Sequence, residues 1–203
     1  MKKVILGVLF LLSMGITQVN AQTISGGFKV DADMSGFLIT KMPDVKSKSG
    51  FGASLGGFMK IELSESFAIQ PELLFKSRHS KLEYKSVDVK TGYSYFGAEI
   101  PVYALGQFQL GEGKFYGGVG PYIGYGFSAK YKEGDIKEDV YKEGDMKRFD
   151  FGAGVLIGYE FSNKMQINAG YQMGLANLLK GKGDVKYRNH ELSLGPVSYT
   201  HLR

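Results

Sequence analysis

Three histidines and no cysteine leave this 203-residue chain few side chains for covalent chemistry. His79, with Ser77 and Ser80 beside it, is the one grouping that resembles a nucleophile near its base; His190 and His201 stand apart from it. A lipid-modifying enzyme would need such a group at the rim of its fold, but a solvated polar stretch accounts for these residues more simply. No catalytic residue is assigned, and the chain is expected not to be an enzyme. Without cysteine there are no disulfides, thiolate zinc sites or iron–sulfur clusters. Carboxylates crowd residues 131–147, where Tyr131-Lys-Glu-Gly-Asp-Ile-Lys137 is repeated as Tyr141-Lys-Glu-Gly-Asp-Met-Lys147. Asp135, Glu138, Asp139, Glu143 and Asp145 lack the spacing of a calcium loop, and a duplicated, solvated loop or a β-extension is the plainer reading, so no metal is expected. Gly152, Gly154 and Gly158 brush against a dinucleotide fingerprint. That motif needs a strand, a tight turn and a helix, whereas these glycines fall inside one alternating run, and no cofactor is expected.

The elements that hold these residues begin after an export signal. Met1-Lys2-Lys3 is a positive start, Val4 to Met14 carries no charge, and Val19-Asn20-Ala21 offers small residues for cleavage. Residues 1–21 read as a signal peptide for the Sec pathway, too short in its apolar core for a spanning helix. Residues 22–203 are then one domain. With 29 glycines, 13 tyrosines and 14 phenylalanines but only five prolines, the composition favours strands.

Alternation is the dominant pattern. Phe149, Phe151, Ala153, Val155, Ile157, Tyr159 and Phe161 interleave with Asp150, Gly152, Gly154, Leu156, Gly158 and Glu160; the same period recurs in seven other stretches. A soluble sheet would put Lys, Glu and Thr on its polar face. Here that face is mostly Gly, Ser, Asn and Gln, which suits the cramped interior of a small barrel, leaving the apolar face to lipid. Aromatics near the ends of runs match the girdles at two membrane interfaces. The prediction is an all-β fold, an eight-stranded antiparallel up-and-down transmembrane β-barrel with a filled lumen, in the outer membrane. Its strands are expected near 25–38, 50–62, 67–77, 93–108, 115–129, 148–161, 165–178 and 187–196, joined by 11, 4, 15, 6, 18, 3 and 8 residues. The short connections are periplasmic turns and the long ones outer loops. Pro71, Pro101 and Pro121 lie within strands, where bulges are expected.

Placed on this frame, Lys29, Asp31, Asp33, Lys60, Glu62, Glu72, Lys76, Glu99, Asp150 and Glu160 face the lumen. They are expected to form a structural salt-bridge network, with an ion path along Glu72, Glu99 and Asp150 as the alternative. Lumen glycines would make room for aromatics such as Tyr116 and Tyr122. The outer loops carry 15 Lys and Arg against 10 Asp and Glu, so Lys46, Lys48, Lys81, Lys85, Lys180 and Lys182 are candidates to meet lipopolysaccharide phosphates. No basic stripe with interleaved aromatics points to nucleic acid.

The segments QPELLF at 70–75, AEIP at 98–101, GGVGPYIGYG at 117–126, FDFGAGVLIGYEF at 149–161 and GYQMGLANL at 170–178 resemble those of the small outer-membrane barrels of Bacteroidetes grouped as porin-family or PorT-like proteins. The resemblance spans the chain after the signal and implies an envelope location, with partners in a protein secretion apparatus. The end of the chain departs from it. Pro196 interrupts the alternation that Leu192 and Leu194 begin, no terminal aromatic follows, and PVSYTHLR at 196–203 resembles a translated adapter, a non-native tail. The expected role is structural or interactive at the cell envelope, with a narrow pore or a lipid-modifying enzyme as alternatives.

Overall fold

The computed structural model describes residues 23–40, 45–84, 89–133, 136–142, 146–163, 165–179 and 185–201. It contains β1 (Thr23–Thr40), β2 (Val45–Ser64), β3 (Phe67–Tyr84), β4 (Val89–Leu110), β5 (Gly113–Glu133), β6 (Ile136–Asp139), β7 (Phe149–Glu160), β8 (Met165–Gly174) and β9 (Lys186–His201). All pairings are antiparallel. Eight strands close a ring in chain order, with β9 returning to β1 and β4 joined to β5; β6 only extends the outer end of β5 as a hairpin. This is an eight-stranded up-and-down barrel.

The closed ring explains why the alternation is so pure. Each strand has one wall outside and one inside, so a single residue step exchanges the two environments. Along β7, Asp150, Gly152, Gly154, Leu156, Gly158 and Glu160 are buried while Phe149, Phe151, Val155 and Ile157 are half or more exposed. The exposed aromatics touch in two groups. Phe108–Phe115 and Tyr159–Phe161 pair near the short turns, and Phe96–Phe127, Tyr125–Phe127 and Tyr125–Phe149 pair farther out. Ten residues of β5 separate Phe115 from Tyr125, about 34 Å along the strand. At a tilt of 35–45° the height is about 24–28 Å, the span of an outer-membrane apolar band.

The prolines do not produce bulges. Around Pro71, Pro101, Pro121 and Pro196 the ladder drops pairs on one flank and resumes in unchanged register, as where Lys29↔Val197 is followed by Ala32↔Leu194. A strand residue aims its N–H and C=O at the same neighbour, so a missing N–H weakens one flank only and the ring stays closed. The register shifts lie elsewhere, between Ser49 and Ala53, between Glu62 and Ser64, and beside Phe96 and Gly97.

Most strands also overrun their expected outer ends. β3 continues to Tyr84 rather than 77, β2 begins at Val45 and β4 at Val89, because pairing with a neighbour sustains a strand beyond the lipid. At the inner end the turn at Gly111-Glu112 is tight enough to hold Gly111 at a φ of 65°, a left-handed conformation that favours glycine. β9 does not stop at Pro196; its backbone pairs with β1 as far as His201, so the suspected tail residues up to that point serve as barrel wall.

Candidate functional site in the barrel lumen

The lumen is filled by charge. Lys29, Asp31, Asp33, Lys60, Glu72, Lys76, Glu99, Asp150 and Glu160 are all buried inside the ring, and Glu62 lies at its inner rim, partly exposed. Two further charges join them, Arg78 and Glu191. Arg78 was expected in an outer loop, counted with the charges facing lipopolysaccharide; the longer β3 instead turns it inward. Glu191 could have been found by stepping back one residue from Leu192, whose outward side chain leaves its neighbour inside.

Four of these residues make the central knot. Arg78 donates from Nη2 to Glu99 and from Nε to Glu191, while Lys76 donates to Glu191 and, at 2.7 Å, to Gln172. The Lys76 ammonium is also 2.9 Å from Glu99. Each carboxylate is shared by both cations, so the knot is charge-balanced and hydrogen-bonded, the condition under which buried ions are tolerated. Nearer the short turns, Lys29 meets Glu72 at 3.1 Å and Asp31 at 3.4 Å. Lowest of all, Lys60 lies 3.6 Å from Glu160 and over the Tyr116 ring, and Lys114 lies 3.5 Å from Glu62.

Glycine makes this filling possible. A Cβ on Gly158 would collide with the Tyr116 ring, and one on Gly152 with Tyr122. The phenols then complete the polar chains: Tyr116 donates to Gln166 at 3.0 Å and Tyr122 to Asp150 at 3.1 Å. Of the glycines that mimic a dinucleotide fingerprint, Gly152 and Gly158 are therefore recesses for rings, and Gly154 lies under Gln172.

An aromatic cap covers the outer mouth. Phe37, Tyr93, Tyr141, Met146, Leu178 and Tyr187 form one buried cluster, with Phe37 edge-on to Tyr93 at 5.0 Å. The second copy of the repeat supplies Tyr141 and Met146 to this cluster while its Lys142 and Lys147 stay exposed, and the first copy contributes residues to the β5–β6 pairing. Arg148 fastens the strap. Its guanidinium lies 4.5 Å over the Tyr141 ring and donates to the carbonyls of Phe127, at 2.9 Å, and Gly126. Burial pushes the Tyr141 phenol up to about 12, against the pull of Arg148. One space beneath the cap, lined by Arg78, Tyr95, Asp150 and Asn189 among others, holds about 20 Å³, room for about one water molecule.

The remaining candidates scatter. His79 lies within β3, not in a loop; it is exposed on the outer wall, its ring 3.3 Å from the Phe51 carbonyl, while Ser80 is buried inside. His79 and Ser80 therefore stand on opposite faces of one strand. Lys48 and Lys81 are exposed and directly opposite each other on β2 and β3. The backbone of Lys46 belongs to β2; its side chain, and Lys85, Lys180 and Lys182, lie outside the described residues, as do Asp135, Glu143 and Asp145. Among the described residues no group of three acidic or imidazole side chains converges as a metal site.

Comparison with known proteins bears on this arrangement. The family model described as outer membrane protein beta-barrel domain matches residues 19–180. Among solved structures the chain is similar to Ail, the attachment invasion locus protein of Yersinia pestis, with 12% identity and a TM-score of 0.46, over 89% of this chain and 100% of that one. It is similar to OprG from Pseudomonas aeruginosa, with 14% identity and a TM-score of 0.48 over 89% and 96%, and to Neisserial surface protein A, with 19% and 0.44 over 86% and 97%. No curated protein matches.

Proposed function

Because the chain belongs to the outer membrane protein beta-barrel domain family, we propose that it is a non-catalytic barrel that acts through the surfaces at its ends rather than through its lumen. The observation that carries this reading is the interior itself. The knot of Lys76, Arg78, Glu99 and Glu191 lies across the lumen beneath the aromatic cap, with one space of about a single water's room between them, so a solute would have to displace both. At the outer end Lys48 and Lys81, both exposed, stand opposite each other on neighbouring strands. Like charges so placed repel, and the phosphates of lipopolysaccharide are the anions this surface would meet. Lys46, Lys85, Lys180 and Lys182 extend the same attraction. The likeness of the lumen and girdle segments to PorT-like barrels of Bacteroidetes adds envelope or secretion-system proteins as partners.

Reversing both charges, Lys48→Glu with Lys81→Glu, is expected to reduce the lipopolysaccharide that co-purifies with the detergent-extracted barrel. Undiminished co-purification would remove that contact from the proposal. A narrow cation pore is the second reading, favoured by seven buried carboxylates against four buried cations among the described residues. Planar-bilayer recordings of the purified protein separate the two, because the first reading expects no conductance above background.

A further inference from the structure

The outer wall changes character along one row. Across β9, β1 and β2 the exposed side chains of Leu192, Met34 and Phe51 stand in register. Two residues farther out along each strand come His190, Gly36 and Ser49. Below the change, β1 exposes Ile24, Phe28, Val30 and Met34; that stretch covers ten residues, the same step that separates the two aromatic girdles on β5. The polar row therefore begins where the apolar band ends and lipid headgroups start. Beyond it the strand ends 36–40, 45–49 and 186–190 hold Lys46, Lys48, Lys186 and Arg188 but no carboxylate.

Polar side chains from two strands converge over the glycine of the third. A Cβ on Gly36 would stand 3.0 Å from His190 Nε2, 3.1 Å from Ser49 Oγ and 3.5 Å from Ser47 Oγ, so the three atoms gather around one point. Ser49 is exposed, and His190 and Ser47 are half-buried. Ser47 Oγ accepts from the Phe37 N–H at 2.9 Å, which leaves its own proton to donate. Arg188 follows His190 on the outward face of β9, because Tyr187, Asn189 and Glu191 are buried on the other. Its Nε meets no acceptor among the described residues.

We propose that His190, Arg188, Ser47 and Ser49 seat a phosphate monoester over Gly36, carried by the lipid anchor of outer-leaflet lipopolysaccharide. Two hydroxyls, an imidazole and a guanidinium are donors suited to an oxyanion with several oxygens, and the guanidinium adds the charge. The place of the seat argues for a lipid source over free phosphate: a headgroup held there leaves its acyl chains against Leu192, Met34 and Phe51, the exposed apolar row directly beneath. Gly36 keeps the floor clear, since a side chain on it would press on His190 and Ser49. The inference rests on the reading of the outer end as lipopolysaccharide-facing and gives that contact a fixed seat.

The full-length protein, isotope-labelled at histidine, refolded into detergent and titrated with diphosphoryl lipid A or with inorganic phosphate, tests this. With three histidines in the chain, His190→Gln identifies the imidazole signal concerned. That signal is expected to shift with lipid A and to stay in place with inorganic phosphate at the same concentration. Affinity for lipid A, by isothermal titration, should fall about tenfold or more in Arg188→Gln combined with Ser49→Ala. A His190 signal that lipid A leaves unmoved overturns the seat, and so does an undiminished affinity in the double variant. A signal that answers inorganic phosphate but not lipid A overturns the lipid as its source. Binding lost in Lys48→Glu with Lys81→Glu but kept in Arg188→Gln with Ser49→Ala refutes the seat and leaves the broader contact standing; binding kept in both pairs refutes both. If a variant fails to refold, the wild-type histidine signal decides alone.

Discussion

Arg78 and Glu191 carry the largest consequence of any pair of side chains inside the ring. Removing one partner of a buried, hydrogen-bonded ion pair strands the other's charge at a cost of about 3–5 kcal/mol. Arg78→Met leaves Glu99 and Glu191 sharing only Lys76, and a strong loss of thermal stability is expected, read as heat-dependent gel mobility of the folded barrel. Arg78→Met combined with Glu191→Met keeps the balanced Lys76–Glu99 pair and should cost less than either single change; a double variant as unstable as the sum of the singles contradicts the knot. Glu191 was within reach of the alternation, but Arg78 escaped it for a physical reason. Alternation assigns a face only while the strand lasts, and pairing with β2 and β4 carried β3 past the polar residues that looked like a loop. The ten charges that were legible stand on strands with aromatic or aliphatic neighbours at every second position.

At the scale of the strand, glycine and tyrosine act as one unit. The recess at Gly158 on β7 admits the Tyr116 ring of β5, with which it is in register. Gly158→Leu drives two side chains into one space, and overpacking of this kind costs about 1–3 kcal/mol. Adding Tyr116→Ala should recover part of that loss, although Gln166 then gives up its phenol donor. A double-mutant cycle on the unfolding midpoint measures the coupling, and strict additivity would show that the recess has no such role. This complementarity was readable in outline, since tyrosines stand among glycines on the inner face of β5 and glycines dominate the inner face of β7. The effect of the prolines was not. Which of two neighbours loses a hydrogen bond depends on which way the residue's N–H points, and hydrophobic periodicity carries no record of that.

Taken whole, the molecule is a lipid-facing cylinder whose outer end is capped where Phe37, Tyr93 and Tyr187 of the strands meet Tyr141 and Met146 from outside them. Arg148→Ala removes a cation–π contact and two charge-assisted hydrogen bonds from the strap, together worth at least about 1.4 kcal/mol. Trypsin cleavage after Lys142 and Lys147 should then quicken about tenfold or more, while the eight-stranded body stays resistant. Unchanged cleavage would mean that the strap is held by other contacts. The ring was legible because every strand obeys one inside-out rule, whereas Tyr141 and Met146 follow no period and sit among charges, so their burial could not be foreseen. The same ring has a temporal side. Ser25 pairs with His201, 176 positions later, so β1 waits for its second neighbour until the last strand has emerged. Until β9 arrives, the sheet has two raw edges, each able to recruit a stranger. Closure is therefore one late, nearly simultaneous event, and whatever shelters β1 in the meantime decides whether the chain becomes a barrel or an aggregate.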